Sequence, residues 1–207
     1  MSYKIIKKQL LALMLAVMVG ASMFLFGLNT NLSNSPNEAE IGFAQDMSVH
    51  HQQAIEMSFL VRERTDRQDI RGFAFDIINT QANQRGMMLG WLDLWEKPLT
   101  TIKKPMMWMV DSMSSMNHSQ MNDSFTSGAY MPGMATKAEV DQLVTLEDKA
   151  AEKLFLELMI RHHQGGVMMA EGVIERSDTE TVTRLAQTMV NGQQAEIDYM
   201  NELLEQY

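Results

Sequence analysis

Two pairs of adjacent histidines, each set among methionines, are the residues of this chain best suited to chemistry. His50 and His51 lie in DMSVHHQQAIEM, and His162 and His163 lie in LMIRHHQGGVMM. Neutral imidazole binds copper in either oxidation state, and thioether sulfur favours Cu(I). The chain has 21 methionines and no cysteine, so its soft ligands are thioethers. Histidine and methionine together predict a copper site, with Cu(I) favoured and Cu(II) possible.

Helical spacing places the first histidine of each pair on a face with methionines. Successive residues of an α-helix turn by about 100°, so His50 falls in the stripe of Met47 and Met57, while His51 lies near the edge of that stripe. The second stretch repeats this pattern with Met159, His162, His163 and Met169, and the helices that follow add Met88 and Met200. Packing is the alternative explanation, because methionine is a pliable core filler and buried histidines are often satisfied by hydrogen bonds.

The connection between the two stretches is a second candidate site. It reads KKPMMWMVDSMSSMNHSQMNDSFTSGAYMPGM. An ordinary loop has no core to fill, so its methionines indicate capture of copper or silver, with Met131, Met134 and His118 among the candidate ligands. The alternative is an amphipathic lid over the helices. Trp108 is suited either to packing beside a bound cation or to anchoring this segment.

Other metal and hydrolytic chemistries find no matching motif. A di-iron site of the ferritin type needs Glu-x-x-His on two helices, and no glutamate stands three residues before any histidine here. The zinc motif His-Glu-x-x-His is absent. Gly165 and Gly166 lie within a predicted helix, where they permit close approach of a neighbouring helix. We therefore expect no catalytic residues and no enzyme activity, although a copper-dependent redox enzyme is a weaker alternative.

An internal repeat predicts the architecture. Residues 41–95 align with 153–207 at a constant offset of 112, without a gap, and the two histidine pairs coincide. Each copy reads as a helical hairpin that cannot bury its apolar face alone. The sequence therefore predicts an all-α four-helix bundle with pseudo-two-fold symmetry. Its parts are a hairpin over 38–96, a methionine-rich crossover over 97–135 and a hairpin over 136–207.

Capping signals predict where the helices begin. They are Ser35 with Pro36, Thr65 to Gln68, Thr136 to Glu139, whose helix is expected to run to about Arg176, and Ser177 to Glu180. A short helix is also expected around Met106 to Met116.

The N-terminus predicts export. Lys4, Lys7 and Lys8 precede an apolar run from Leu10 to Leu28 that is near the length needed to span a bilayer. This favours an uncleaved transmembrane signal anchor at 1–28 and a linker at 29–37, with a cleaved signal and a secreted protein as the alternative. The domain is then expected outside the cytoplasm, periplasmic or extracellular. The formal net charge of −9 argues against nucleic acid as a partner.

Several of these motifs resemble a known family. FAQDM followed by HHQQAIEM, then MPGMAT and LFLELMIRHHQGGVMMA, are similar to the family called domain of unknown function 305, over roughly residues 38–207. The resemblance implies a ferritin-like fold, and some members are exported copper-binding proteins of the CopM type. It implies copper or silver binding at the matching positions, which are Met47, His50, His51, Met57, Met159, His162, His163 and Met169.

These observations predict an exported, membrane-anchored protein that binds Cu(I) or Ag(I) to buffer, sequester or transfer the metal in copper homeostasis or resistance. Its expected partners are the metal ion, the membrane and a copper-handling protein. The alternative is a non-catalytic interaction module that docks a partner through a methionine-rich surface, since pliable methionine surfaces adapt to partners.

Overall fold

The computed structural model describes residues 35–109 and 129–207, and these residues form an all-helical domain. Its five helices are α1 (Glu38–Arg62), α2 (Gln68–Leu94), α3 (Lys137–Thr145), α4 (Asp148–Ile174) and α5 (Glu180–Leu204), with one 3-10 turn at Met107–Met109. The predicted all-α class is confirmed. None of the described helices is long and apolar enough to cross a bilayer, and the apolar run at residues 10–28 lies outside the described residues.

The helices form two hairpins, as the repeat predicts. α1 pairs with α2, α4 pairs with α5, and the hairpins approach each other most closely through α1 and α4. Side chains of α2 and α5 also meet, since the rings of Phe73 and Tyr199 pack edge to face with centroids 5.1 Å apart. The unit from Asn37 to Tyr207 is compact by itself.

The apolar interior consists of two clusters, one toward each end of the hairpins. Core A joins the second half of α1 to the first halves of α2 and α4 and the end of α5, and it includes Met57, Met159 and Met200. Core B joins the first half of α1 to the ends of α2 and α4, the first half of α5 and the crossover. The offset of 112 relates Met57 in core A to Met169 in core B, and Met47 in core B to Met159 in core A. Cores A and B are therefore counterparts in the pseudo-symmetry.

A buried glutamate from each hairpin ties down the turn of the other hairpin. Glu40 on α1 accepts a hydrogen bond of 2.6 Å from the hydroxyl of Ser177 and one of 3.1 Å from the backbone N–H of Thr179. Its counterpart in the repeat, Glu152 on α4, accepts hydrogen bonds from the hydroxyls of Thr65 and Tyr207. These two reciprocal contacts fix how the hairpins are set against each other.

The same contacts correct three predicted helix starts. The N-cap of α1 is Asn37, two residues after the predicted Ser35, because Asn37 and Glu40 form a reciprocal capping box. Thr65 and Ser177 do not cap α2 and α5. Their hydroxyls instead accept the N–H two residues on and donate to the buried glutamates.

The capping signal at Thr136 predicts the start of its helix correctly, but the predicted length of that helix is wrong. Thr136 forms a capping box with Glu139, as predicted. The helix that it opens ends at Thr145, and α4 begins separately at Asp148. Asp148 takes a positive φ of 49° and donates its N–H to the carbonyl of Arg64 at 2.7 Å, a tertiary contact that breaks the helix.

We expect Glu40→Ala to lower the free energy of unfolding by about 3 kcal/mol, because it removes charged acceptors from several half-buried donors. Burial raises the pKa of Glu40, but hydrogen bonds from Ser177, Thr179 and Asn37 outweigh it and hold the pKa below its usual value. Denaturant unfolding measures the loss. Glu56→Ala, at an exposed site on the same helix, is the control and should change stability by less than about 0.5 kcal/mol. Equal losses in the two variants would contradict the role of Glu40.

Candidate metal centre

The two histidine pairs form a polar layer between cores A and B, at the crossing of α1 and α4. The rings of His50 and His162 are stacked, with centroids 3.7 Å apart and planes inclined by 35°. His51 and His163 are buried as completely as their neighbours. Helical spacing places His51 near the edge of the apolar stripe, and it is buried there beside Gln84 of α2. The two halves of the repeat thus meet at one shared layer of four imidazoles.

Each imidazole in this layer is held through its Nε2 atom by an oxygen acceptor. His162 contacts the backbone carbonyl of His50 at 3.0 Å, and His50 contacts the carbonyl of Pro132 at 3.3 Å. His51 contacts the amide oxygen of Gln84 at 2.8 Å, and His163 contacts a carboxylate oxygen of Glu196 at 2.6 Å. Gln84 and Glu196 are themselves counterparts in the repeat. Because carbonyl, amide and carboxylate oxygens accept, Nε2 carries the proton in every ring.

The opposite ring atom, Nδ1, is bare in all four histidines. These four nitrogens are buried and have no hydrogen-bond partner within the described residues. A buried acceptor without a donor costs about 1–3 kcal/mol. An imidazole whose N–H is fixed by an oxygen and whose second nitrogen is free is the arrangement that metal-ligating histidines usually show.

Burial favours the neutral form of His50, His51 and His162. It lowers the pKa of His50 to about 3 and that of His51 to about 4, with the other histidines adding repulsion. Burial, followed by the proximity of His50, holds the pKa of His162 well below its usual value. Neutral imidazole is the form that binds metal, so these three rings need no deprotonation at neutral pH.

Two glutamines that the candidate ligand set omitted lie in the same layer. Gln81 on α2 and Gln193 on α5 are counterparts in the repeat, and both are buried. Both amide atoms of Gln81 and the amide oxygen of Gln193 have no partner among the described residues. Gln193 fits against α4 because Gly166 has no side chain; a Cβ there would collide with its amide oxygen. The sequence signal was available, since a glutamine recurs at one core position of both copies.

The six predicted methionine ligands that lie on helices separate into two groups of three. Met47, Met88 and Met169 lie in core B, and their repeat counterparts Met159, Met200 and Met57 lie in core A. Each group therefore takes methionines from both hairpins. Core B also contains Met106, Met109, Met131, Met134 and Met189, which makes it much the richer in thioethers. The structure thus assigns most of the described candidate sulfurs to one side of the histidine layer.

The MPGM turn of the crossover is attached directly to this layer. Its Pro132 carbonyl accepts from His50, and Gln53 on α1 pairs through both amide atoms with the backbone of Ala135, at 2.7 and 2.9 Å. Gly133, at a φ of 79°, packs against Gly165 of α4, where a Cβ would collide with the carbonyl oxygen of Pro132. Gly165 thus admits the crossover and Gly166 admits a helix, whereas the sequence predicted helix approach for both. Met131 and Met134 reach core B from this turn.

The first part of the crossover is anchored by Asp46. One oxygen of this buried carboxylate accepts from the N–H of Met106 at 2.8 Å and from the indole of Trp108 at 2.9 Å. Burial raises the pKa of Asp46 despite these two hydrogen bonds. Trp108 also packs edge to face on Phe43, so it is an anchor of the segment. Residues 105–109 and 129–136 thus form the lid that was the alternative interpretation of the connection; only Met107–Met109 of the expected helix is described, and His118 lies outside the described residues.

Imidazole nitrogens and thioether sulfurs are the two kinds of ligand that this interior offers to a metal. Within residues 35–109 and 129–207, no three histidine or carboxylate side chains are grouped as ligands for one ion. Imidazole nitrogens and thioether sulfurs are buried on adjoining levels of the domain, and that donor set suits Cu(I) and its soft relatives.

The fold and this layer together define an internally duplicated, all-helical domain with imidazoles and thioethers enclosed in its interior. The family model of domain of unknown function 305 matches residues 40–204, and the chain belongs to that family. The predicted resemblance is confirmed. No curated protein matches the chain.

Solved structures of similar proteins agree with this assignment. A family protein from Streptomyces coelicolor, described as a candidate secreted protein, is 50% identical, with a TM-score of 0.70 over 81% of this chain and 93% of its own. A fragment from Deinococcus radiodurans is 32% identical, with a TM-score of 0.66 over 83% and 99% of the two chains. CopM in its Cu(I)-bound form is 21% identical, with a TM-score of 0.60 over 81% and 96%. At that identity CopM supports the fold alone.

We expect Gly165→Ala to destabilise the domain, whereas Gly192→Ala should stabilise it. Alanine inside a helix is favoured over glycine by about 0.5–1 kcal/mol, and nothing lies within 4 Å of a Cβ at Gly192. At Gly165 the same methyl would meet the Pro132 carbonyl and displace the MPGM turn. Thermal unfolding of both variants gives the comparison. Similar stabilisation at the two positions would show that the turn is not seated on α4.

We also expect the free energy of unfolding to fall as the pH drops from 7 toward 5. Unfolded histidines take up a proton near pH 6.5, whereas folded His50 and His51 do so only near their pKa values of about 3 and 4. The unfolded state therefore binds more protons below pH 6.5, and each such histidine lowers stability by up to about 1.4 kcal/mol per pH unit. Urea unfolding across this range measures the slope, which His51→Gln should reduce. A flat profile would contradict the burial of neutral His50 and His51.

Proposed function

We propose that this protein binds Cu(I) or Ag(I) outside the cytoplasm, to buffer, sequester or hand on the metal, and that it catalyses no reaction. The observation that carries the proposal is the layer of four buried imidazoles, each fixed through Nε2 and each with a bare Nδ1. An apolar core gains nothing from four unsatisfied acceptors, and a bound metal would satisfy them.

The thioethers of core B support a soft metal. Met131 and Met134 begin and end the MPGM turn, whose Pro132 carbonyl accepts from His50, so this turn links the imidazole layer to the thioethers of core B. Met47 lies one helical turn before His50. We infer that His50, His162 and the methionines of core B supply ligands, while Met57, Met159 and Met200 of core A form the equivalent but poorer set. His51, His163 and His118 remain candidate ligands.

The solved structures of similar proteins are compatible with this proposal, but the metals they contain are those of another protein. CopM has been solved with Cu(I), with Cu(II) and with silver. We propose the same class of cargo for this chain because its own donor set is suited to these ions. A ferritin-like four-helix bundle with parts at 38–96, 97–135 and 136–207, an anchor at 1–28 and a copper-handling protein partner belong to the same proposal.

A methionine-rich docking surface is less favoured than metal binding. Of the 14 methionines in the described residues, Met87 and Met107 are markedly exposed, and 11 are buried. Buried thioethers can reach an ion that enters the domain, but they offer little surface to a protein.

We expect Cu(I) uptake to depend mainly on core B. Under a competing Cu(I) chelator in reducing buffer, Met47→Leu/Met88→Leu/Met169→Leu should weaken binding at least tenfold, because leucine keeps the apolar volume and removes the sulfur. The matched control is the counterpart triple, Met57→Leu/Met159→Leu/Met200→Leu, which should have the smaller effect. If wild-type protein binds Cu(I) no more tightly than a variant that combines the core B triple with His50→Ala and His162→Ala, copper binding is wrong.

A further inference from the structure

A second feature of the domain lies away from the histidine layer, between the start of α1 and the segment that follows α2. It is an open cleft of about 730 Å³. Ile41 and Trp108 contribute apolar surface to it, and Lys97, Lys103 and Lys104 line it. We call this feature the lysine cleft.

Apolar side chains project from the same segment into solvent. Ile102, which also lines the cleft, is fully exposed, and Leu99 and Met107 are each about half exposed. Single exposed apolar residues are ordinary, but Ile102 and Met107 both line one cleft, with Leu99 close by in sequence, which makes this a candidate contact surface. Neither core A nor core B includes these three residues.

The cleft gathers lysines on an acidic chain, although two carboxylates, Glu38 and Asp46, also line it. The chain as a whole carries −9, yet three of the six lysines in the described residues lie between 97 and 104. Lys103 forms an ion pair with Glu38 at 3.1 Å, with both side chains largely exposed, and such surface pairs are weak. Lys97 and Lys104 have no carboxylate partner among the described residues. The cleft is therefore suited to an anionic surface.

We propose that the lysine cleft docks on the surface of a bilayer that contains anionic phospholipid. Lysines beside an exposed aliphatic side chain suit this interface, because the ammonium groups meet headgroup phosphates while the aliphatic group enters the boundary of the acyl chains. Glu38 and Ile41, in the first turn of α1, line the cleft. Only residues 29–37 separate α1 from the apolar run of residues 10–28, which the sequence predicts to lie in a membrane.

A second copy of the chain fits this cleft less well. A two-fold contact between identical clefts would place lysines against lysines. An acidic protein partner would pair with the lysines, but its charged surface would not cover the fully exposed aliphatic side chain of Ile102.

Vesicle co-sedimentation of residues 37–207 tests the proposal. This unit is compact by itself and contains both cores, so it can be studied without the apolar run. The vesicles are phosphatidylglycerol mixed with phosphatidylcholine, and pure phosphatidylcholine, with a metal chelator throughout so that copper binding does not affect the result. Lys97→Gln/Lys103→Gln/Lys104→Gln should weaken binding to the anionic vesicles about a hundredfold, since each lysine near such a surface contributes roughly a factor of five. Ile102→Ser should weaken it roughly fivefold.

The matched control is Lys137→Gln/Lys149→Gln/Lys153→Gln, which makes the same change in net charge at the other three described lysines. It should change binding by less than about threefold, and circular dichroism confirms that every variant is folded. Equal losses in the two triple variants, equal binding to pure phosphatidylcholine, or no binding of the wild-type domain to anionic vesicles would each overturn the proposal. A wild-type domain that self-associates through the cleft without lipid would overturn it in favour of a second copy.

Discussion

The contact between His50 and His162 is the constraint on which the rest of the domain depends. The two rings stack at 3.7 Å, and the second ring donates to the backbone carbonyl of the first residue at 3.0 Å. A side chain reaches the carbonyl of a neighbouring helix only where the helices lie close together, so this contact sets α1 and α4 against each other. It also inserts a polar layer into the interior, because nitrogen atoms cannot merge into apolar packing without cost. Cores A and B are the consequence.

A single crossover breaks the symmetry of the duplicated hairpins, and two substitutions between the copies show where. Asp46 holds the N–H groups of Met106 and Trp108, and its counterpart Leu158 is an ordinary member of core A. Gln53 pairs with the backbone of Ala135, and its counterpart Gly165 leaves room for the turn to sit. One copy therefore binds the crossover and the other accommodates it. The crossover brings extra methionines to core B alone, so the two halves of the repeat are unequal in donor content.

The polar layer and the two buried glutamates differ in how well their polar atoms are satisfied by hydrogen bonds. Glu40 and Glu152 are surrounded by donors and hold the hairpins in register. The layer between them contains bare Nδ1 atoms and unpaired amides of Gln81 and Gln193. The domain can tolerate this unsatisfied interior because the hydrogen bonds of Glu40 and Glu152 stabilise it elsewhere. This is the arrangement expected of a site that gains stability when a ligand enters, since binding to the folded state alone shifts the folding equilibrium.

The sequence by itself determined the duplication, the all-helical class, the capping box at Thr136 and the histidine and methionine positions, because periodicity and an ungapped offset of 112 are local properties of the chain. It could not determine that His51 is buried, that Thr65 and Ser177 serve glutamates of the opposite hairpin, or that the helix after Thr136 breaks before Asp148. Each of these depends on a partner far away in sequence. It also could not show that methionines at matching positions separate into two cores. Tertiary structure decided that point, because the first half of α1 packs with the second half of α4, and the methionines of the MPGM turn join core B.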